Sequence, residues 1–255
     1  MNEHEFSTEW ENADIQLRVP FSFPGISTSV IISSVKDQSY HVCDTGDGIL
    51  KSLCFDMDFN NTLENLKSLV FTHDHFDHIG GLLSILGFLR MKERKSCLKL
   101  VYPAGSRLIE DIVDAFCRRF DSLPFRIDPI SMHDHESIRV DEWRITGYDT
   151  LHRGAITIDN APRIVDDGTD AKVFVFEYAQ SKVGISGDTG NTDILKTIAS
   201  DLDCFLLEAT YPKGSNLDQE YYNKVHLSTE LAMHIGSLAK DFRLYHALPE
   251  QWRNI

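Results

Sequence analysis

The 255-residue chain has no CxxC pair, no apolar run long enough to cross a bilayer, no low-complexity tract and no surplus of positive charge. Each absence removes a class of protein. The five cysteines, Cys43, Cys54, Cys97, Cys117 and Cys204, are odd in number and far apart. That argues against a disulfide framework, a zinc knuckle or a redox pair, and for reduced thiols in a cytoplasmic protein. The longest apolar stretch, Ile79 to Leu89, is broken by glycines and Ser84 and falls far short of the roughly 20 residues of a membrane span. The opening Met1-Asn2-Glu3-His4-Glu5 is acidic where a secretory leader is basic and then apolar, so export is not expected. With 25 Lys+Arg against 39 Asp+Glu the formal charge is −14, and no Lys/Arg stripe stands out, so a protein that coats nucleic acid is not expected either.

What is present is ordinary globular material: 42% hydrophobic and 25% charged residues, with 15 Gly and 8 Pro. The length suits one domain spanning 1–255, large enough to bury a core without staples. Short β-rich runs predict strands over 29–35, 40–43, 66–71, 98–102, 144–148, 172–178, 182–186, 204–208 and 242–245. Helical spacing of apolar residues predicts helices over 81–92, 106–120, 192–200 and 228–240, with Ser228 an N-cap and Asn191 a candidate cap. The pattern is mixed α/β. The polar stretch 159–170, with Pro162 and Gly168, reads as an exposed loop.

The strongest local signal is Thr72-His73-Asp74-His75-Phe76-Asp77-His78, directly after an apolar strand. The pattern His-x-His-x-Asp-His has a chance of roughly two in a thousand in a chain of this composition. Three imidazoles and a carboxylate crowded together are the ligand set of zinc and related divalent metals; the alternative is a solvated polar turn. His73 and His75, two apart, project alike from an extended segment and can share one metal, while Asp77 and His78 can address a second. Such a cluster cannot close two sites alone. His152, Asp188 and His246, each after an apolar or β-rich run, are the candidates to complete them.

Here the chain resembles the metallo-β-lactamase-fold hydrolases, and among them the ribonuclease Z-like phosphodiesterases. The His73–His78 block matches their signature, Ser186-Gly187-Asp188-Thr189 looks like the bridging-aspartate motif, and His152 and His246 fall in the expected order. The resemblance covers about Gly25 to His246. It implies a four-layer α/β/β/α fold of two facing mixed sheets flanked by helices. It also implies two divalent ions, zinc with manganese as the alternative: one on His73, His75 and His152, the other on Asp77, His78 and His246, with Asp188 bridging. Asp44 resembles an element that orients a ligating histidine; its other reading is a turn former before Gly46.

A second constellation, Leu206-Leu207-Glu208-Ala209-Thr210-Tyr211 followed by His226-Leu227-Ser228-Thr229, is similar to the ribonuclease Z branch. A histidine outside the metal shell, held by a carboxylate, can protonate a departing alkoxide. The reading is therefore a hydrolase whose paired metals ionise a water, with Asp77, His226 and Glu208 as catalytic residues and a phosphodiester, RNA or a small or cyclic nucleotide, as substrate. The segment between His152 and Asp188 leaves no room for a long basic arm, so a small phosphodiester is at least as well supported as tRNA. A thioester, lactone or β-lactam hydrolase, and a noncatalytic metal-binding interaction protein, are the rival readings. A second copy of the chain is a candidate partner; a membrane is not. His133 and His135 read as a solvated loop, and His4, His41 and His234 as surface or packing residues.

Overall fold

Strands that are apolar at consecutive positions have to be covered on both faces, and that requirement sets the architecture. The computed structural model describes residues 8–56, 63–158, 161–214 and 219–247. A seven-stranded sheet runs in the order β1 (Glu9–Glu11), β2 (Ile15–Phe23), β3 (Ser27–Ser34), β4 (Tyr40–Cys43), β5 (Leu66–Val70), β6 (Leu98–Pro103), β7 (Ile127–Met132). A six-stranded sheet runs β15 (Phe242–Tyr245), β14 (Cys204–Glu208), β13 (Ser181–Ile185), β12 (Ala171–Tyr178), β9 (Trp143–Thr150), β8 (Glu136–Val140). A separate hairpin pairs β10 (Gly154–Ile158) with β11 (Ala161–Val165).

The period-2 alternation of each strand sorts its side chains between layers. Val30, Ile32, Val70 and Val101 of the first sheet meet Trp143, Ile145, Phe174, Phe176 and Leu206 of the second in a buried cluster between the sheets. Their neighbours Ile31, Leu69 and Leu100 point the other way, against Ile85 and Leu89 of the helix Leu82–Met91 and Ile109, Val113 and Phe116 of the helix Arg107–Arg119. On the far side Val173, Val175, Phe205 and Leu207 pack on the helices Asp193–Ala199 and Thr229–Gly236. The four-layer arrangement expected from the sequence is the one observed. Among the described residues no helix is long and apolar enough to cross a membrane, and all five cysteines are free thiols.

β4, β5, β6 and β7 pair in parallel, as do β13, β14 and β15. Parallel pairs need long crossovers, supplied here by helices, so the C-terminal ends of these strands lie at one edge of the molecule. Open α/β sheets bind ligands at such edges. The histidine-rich segment follows β5, Asp188 follows β13 and His246 follows β15.

Differences from the sequence expectation have local causes. β7 carries Pro129 and pairs only with β6, an edge position where a missing N–H is tolerated. β2 carries Pro20 beside a register shift between Arg18 and Phe21. The stretch read as a loop over 159–170 is partly the strand β11; residues 159 and 160 lie outside the described residues. The helix expected over 228–240 stops at Gly236, capped by Ser237, because the chain must turn to begin β15 at Phe242. Ser228 does cap it, accepting from the Leu231 N–H at 3.3 Å. The helix expected over 192–200 with Asn191 as its cap begins at Asp193, and its N-cap is Thr192, whose side chain makes no cap bond.

Trp143 ties the two sheets together. It is buried, its indole N–H donates to Ser39 Oγ at 2.9 Å, and its ring lies 4.8 Å from His41 and 4.7 Å from Tyr178. Trp143→Ala is expected to cost about 3–5 kcal/mol, which at roughly 2–4 °C per kcal/mol lowers the melting temperature by about 10 °C. Thermal denaturation checks this, and an unchanged midpoint contradicts the packing described.

Candidate metal centre

The segment after β5 is held open by Asp44, the residue after β4. Asp44 adopts a left-handed backbone (φ 58°), rare for a residue with a side chain, and this turns its carboxylate inward. It accepts from Thr72 N–H and Thr72 Oγ1–H, both at 2.8 Å, and its Oδ2 lies 2.8 Å from His78 Nδ1. The next turn needs glycine: a Cβ on Gly46 would collide with Ser27, the Thr28 backbone and the Asp77 carbonyl. That close approach lets Thr45 N–H reach the His78 carbonyl at 2.6 Å and fixes the short helix Phe76–Ile79.

The structure brings all seven candidate donors together. His73, His75 and His152 form one group, and Asp77, His78, Asp188 and His246 a second; within each, the donor atoms lie within 4.8 Å of one another. Asp188 faces both. Its Oδ2 is 3.8 Å from His73 Nε2 and 4.0 Å from His152 Nε2, while its Oδ1 is 3.3 Å from His78 Nε2. Asp77 accepts the Gly25 N–H at 2.8 Å and lies 3.6 Å from His246 Nε2. His75 Nδ1 is 3.2 Å from His152 Nε2, close to the roughly 3.3 Å that separates two nitrogens of a tetrahedral ion bound at about 2.0–2.1 Å.

The donor chemistry fits a divalent cation on an observation independent of distance. His73 Nε2, His78 Nε2, His246 Nε2 and Asp188 Oδ1 are buried with no hydrogen-bond partner, and orphaned polar atoms of this kind carry a desolvation cost. The opposite ring nitrogens are engaged: His73 Nδ1 with Thr72 Oγ1 at 3.1 Å, His152 Nδ1 with the Val225 carbonyl at 2.8 Å, His246 Nδ1 with Thr210 Oγ1 at 3.0 Å. Such outer partners set which nitrogen stays free to bind.

Burial and neighbouring rings push His73 well below the ordinary imidazole value, and burial with His226 beside it lowers His152 to about 3, so both stay neutral. Burial favours neutral His78 as well, but Asp188 and Asp44 overcome it and raise its value well above the ordinary range. Burial would lift Asp188, yet His246 and His78 hold it well below the usual carboxylate range. The site is short of positive charge, and its histidines are drawn on to supply it.

Glu208 and His226 sit beside these donors. Glu208, fully buried, accepts from Thr189 N–H at 2.8 Å, Thr210 N–H at 3.2 Å and Thr210 Oγ1–H at 2.7 Å, and its Oε1 is 2.9 Å from His226 Nδ1. The two-residue unit expected from the sequence is therefore formed. Against the burial that favours its neutral form, Glu208 raises His226 to about 9. His75, His152, Asp77, Asp188, His246 and His226 line a cleft of about 520 Å³ whose wall includes Phe76, Ile156 and Tyr211.

Several contributors escaped the sequence reading. Gly25 gives only a backbone N–H; Thr210 stood in a quoted motif without a role; Asp167 and Thr169, whose Oδ2 and Oγ1 lie 2.9 and 3.0 Å from His75 Nε2, belong to a polar loop with no local pattern to mark them. His133 and His135 are exposed in the turn between β7 and β8, as expected, although an edge strand does lead into it. His41 is a packing residue, buried with Nδ1 2.7 Å from Ser68 Oγ; His234 is exposed; His4 lies outside the described residues.

Residues 42–246 match the family described as the Beta-lactamase superfamily domain. The ribonuclease Z of Sulfurisphaera tokodaii is 25% identical over 222 residues, 76% of this chain and 74% of that protein. That of Metallosphaera sedula is 26% identical over 177 residues, 59% of this chain, and the match spans only 60% of that protein's length. The crystal structure of human tRNase Z, short form, superposes with a TM-score of 0.70 at 15% identity, covering 92% of this chain and 93% of that one, a likeness of fold.

Because His226 is raised to about 9 from 6.5, its interaction with Glu208 stabilises fully below the unfolded value and is lost as pH rises through the folded one. In chelator-treated protein the stability advantage of wild type over His226→Gln should be present at about pH 6 and vanish above about pH 9. Denaturant titrations across that range measure it; a gap that widens with pH contradicts the pairing.

Proposed function

The chain belongs to the Beta-lactamase superfamily, and from that premise we propose that it is a metal-dependent phosphodiester hydrolase of the ribonuclease Z type acting as one domain. The observation that carries this reading is the pairing of a convergent His/Asp donor set with a separate acid, His226 on Glu208, across one cleft. His73, His75 and His152 would hold one ion, Asp77, His78 and His246 the other, and Asp188 both; zinc suits imidazole and carboxylate donors in this mixture, with manganese second. When bound, the two ions supply Lewis acidity at the phosphoryl oxygens and lower the pKa of water into the neutral range.

The chain's own residues do the rest. Asp77, its carboxylate fixed by the Gly25 N–H, orients the attacking water or accepts its proton. The water oxygen bonds to phosphorus as the phosphorus–oxygen bond on the opposite side breaks. His226, held by Glu208, gives its proton to the departing oxygen. The buried histidines hold their donor atoms in place without side-chain rearrangement, since each has a partner on its other ring nitrogen.

Substrate size is set by what surrounds the cleft. Between His152 and Asp188 the chain forms only the β10–β11 hairpin before returning to β12, so a long arm reaching for a folded RNA does not arise from this segment. A small phosphodiester or an RNA 3′ end both fit the chemistry. The similarity to the two ribonucleases Z supports the phosphodiester class over thioesters, lactones and β-lactams, whose leaving groups do not require an alkoxide acid of this kind.

Hydrolysis is to be measured on bis(p-nitrophenyl) phosphate, cyclic nucleotides, precursor tRNA and a panel of thioesters, lactones and β-lactams. Phosphodiester turnover is expected; turnover of the acyl panel alone contradicts the reading. Asp77→Ala is expected to abolish turnover, and wild-type activity in that variant refutes its role. His226→Ala should lower kcat by about 10²–10⁴-fold on alkoxide leaving groups and far less on p-nitrophenolate, which needs no proton. Equal losses on both remove the acid role.

A further inference from the structure

We propose that Asp167, seconded by Thr169, is the positioning group of His75: it holds the ring proton on Nε2 and thereby turns the Nδ1 lone pair toward His152. The inference rests on the metal reading above. A neutral imidazole has one N–H and one lone pair. His75 Nε2 lies 2.9 Å from Asp167 Oδ2 and 3.0 Å from Thr169 Oγ1. An ionised carboxylate only accepts, so the proton belongs on Nε2 and Nδ1 is bare. His152 is in the same condition, because its Nδ1 proton is spent on the Val225 carbonyl at 2.8 Å. Two lone pairs then face one another across 3.2 Å, an arrangement that repels unless a cation lies between them.

The local structure is shaped to deliver this carboxylate. Asp167 sits in the loop from Asp166 to Asp170 that joins β11 to β12, 92 positions beyond His75. Thr169 N–H donates to Asp167 Oδ1 at 3.2 Å and closes the loop on itself, and the Thr169 side chain is turned inward and buried. The first residue of the hairpin is Gly154, and any Cβ there would collide with Asp167 Oδ2. His73, His78 and His152 each have a partner on the ring nitrogen opposite the one turned to the donor cluster, and His246 Nδ1 meets Thr210 Oγ1 as well as Asp188. Asp167 supplies the same to His75, the one ring of the five that is partly open to solvent.

Two readouts on the full chain test this, using Asp167→Ala, Asp167→Asn and Thr169→Val, with circular dichroism confirming that each variant folds. Long-range ¹H–¹⁵N spectra of chelator-treated protein report the His75 tautomer. Wild type, Asp167→Asn and Thr169→Val should show the Nε2–H form, and Asp167→Ala a mixture. Competition of Zn²⁺ against a chelator, with Co²⁺ absorption as the spectroscopic signature, reports each metal equivalent. Asp167→Ala should weaken one equivalent by about 10- to 100-fold and leave the other unchanged, Asp167→Asn should recover most of that loss, and Thr169→Val should lose only a few-fold. An unchanged tautomer, or both equivalents bound by Asp167→Ala as tightly as by wild type, overturns the inference while the metal reading stands. Wild type that binds neither ion overturns the metal reading and this inference with it.

Discussion

Four carboxylates, those of Asp44, Asp77, Asp188 and Glu208, are buried at one edge of the molecule, and every ion pair recorded for them is with a histidine. No lysine or arginine answers them among the described residues. Removing a carboxylate from water costs several kcal/mol unless charge or hydrogen bonds replace the solvent. Here hydrogen bonds satisfy Asp44 and Glu208, while Asp188 keeps one oxygen orphaned among orphaned ring nitrogens. That residual demand for positive charge suits the proposed cations, and it explains why buried His78 and partly buried His226 are drawn toward protonation.

The fold is arranged around this demand. Parallel strands from two sheets end at a common edge: Asp44 follows β4, His73 to His78 follow β5, Asp188 follows β13, Glu208 is the last residue of β14, and His246 follows β15. Left-handed backbone at Asp44 (φ 58°) and at His246 (φ 52°) turns both side chains toward the shared cavity. Such conformations cost on the order of 1–3 kcal/mol each and persist where surrounding structure fixes them. Asp44 is fixed by Thr72 and His78, and His246 by Thr210 and the Ser22 hydroxyl, which accepts its backbone N–H at 2.9 Å. Strain sits where chemistry needs direction, and the wide apolar layers on either side of each sheet carry it.

Much of this was legible in the residues themselves. The strands 40–43, 204–208 and 242–245 coincide with β4, β14 and β15, since fully buried strands are apolar at nearly every position. The His73–His78 block announced itself by density, and His152, Asp188 and His246 by following apolar runs. What stayed hidden is of two kinds. The strand β2 and the edge strand β7 carry proline, and the β10–β11 hairpin is bounded by polar residues, so none shows the buried pattern. Partners such as Asp167 and Gly25 act across 92 and 52 positions of sequence, through a loop carboxylate in one case and a backbone N–H in the other; neither leaves a local trace. The β2–β3 turn and the loop after β11 bring them in, and only the fold shows it.

Anomalous diffraction at the zinc edge, from crystals of the full chain grown with zinc, addresses the central claim most directly. Two peaks are predicted, one enclosed by His73, His75 and His152 and one by Asp77, His78 and His246, each within reach of Asp188. Data with no peak at that edge of the sheets, or with peaks only on surface histidines such as His133 and His135, contradict the account.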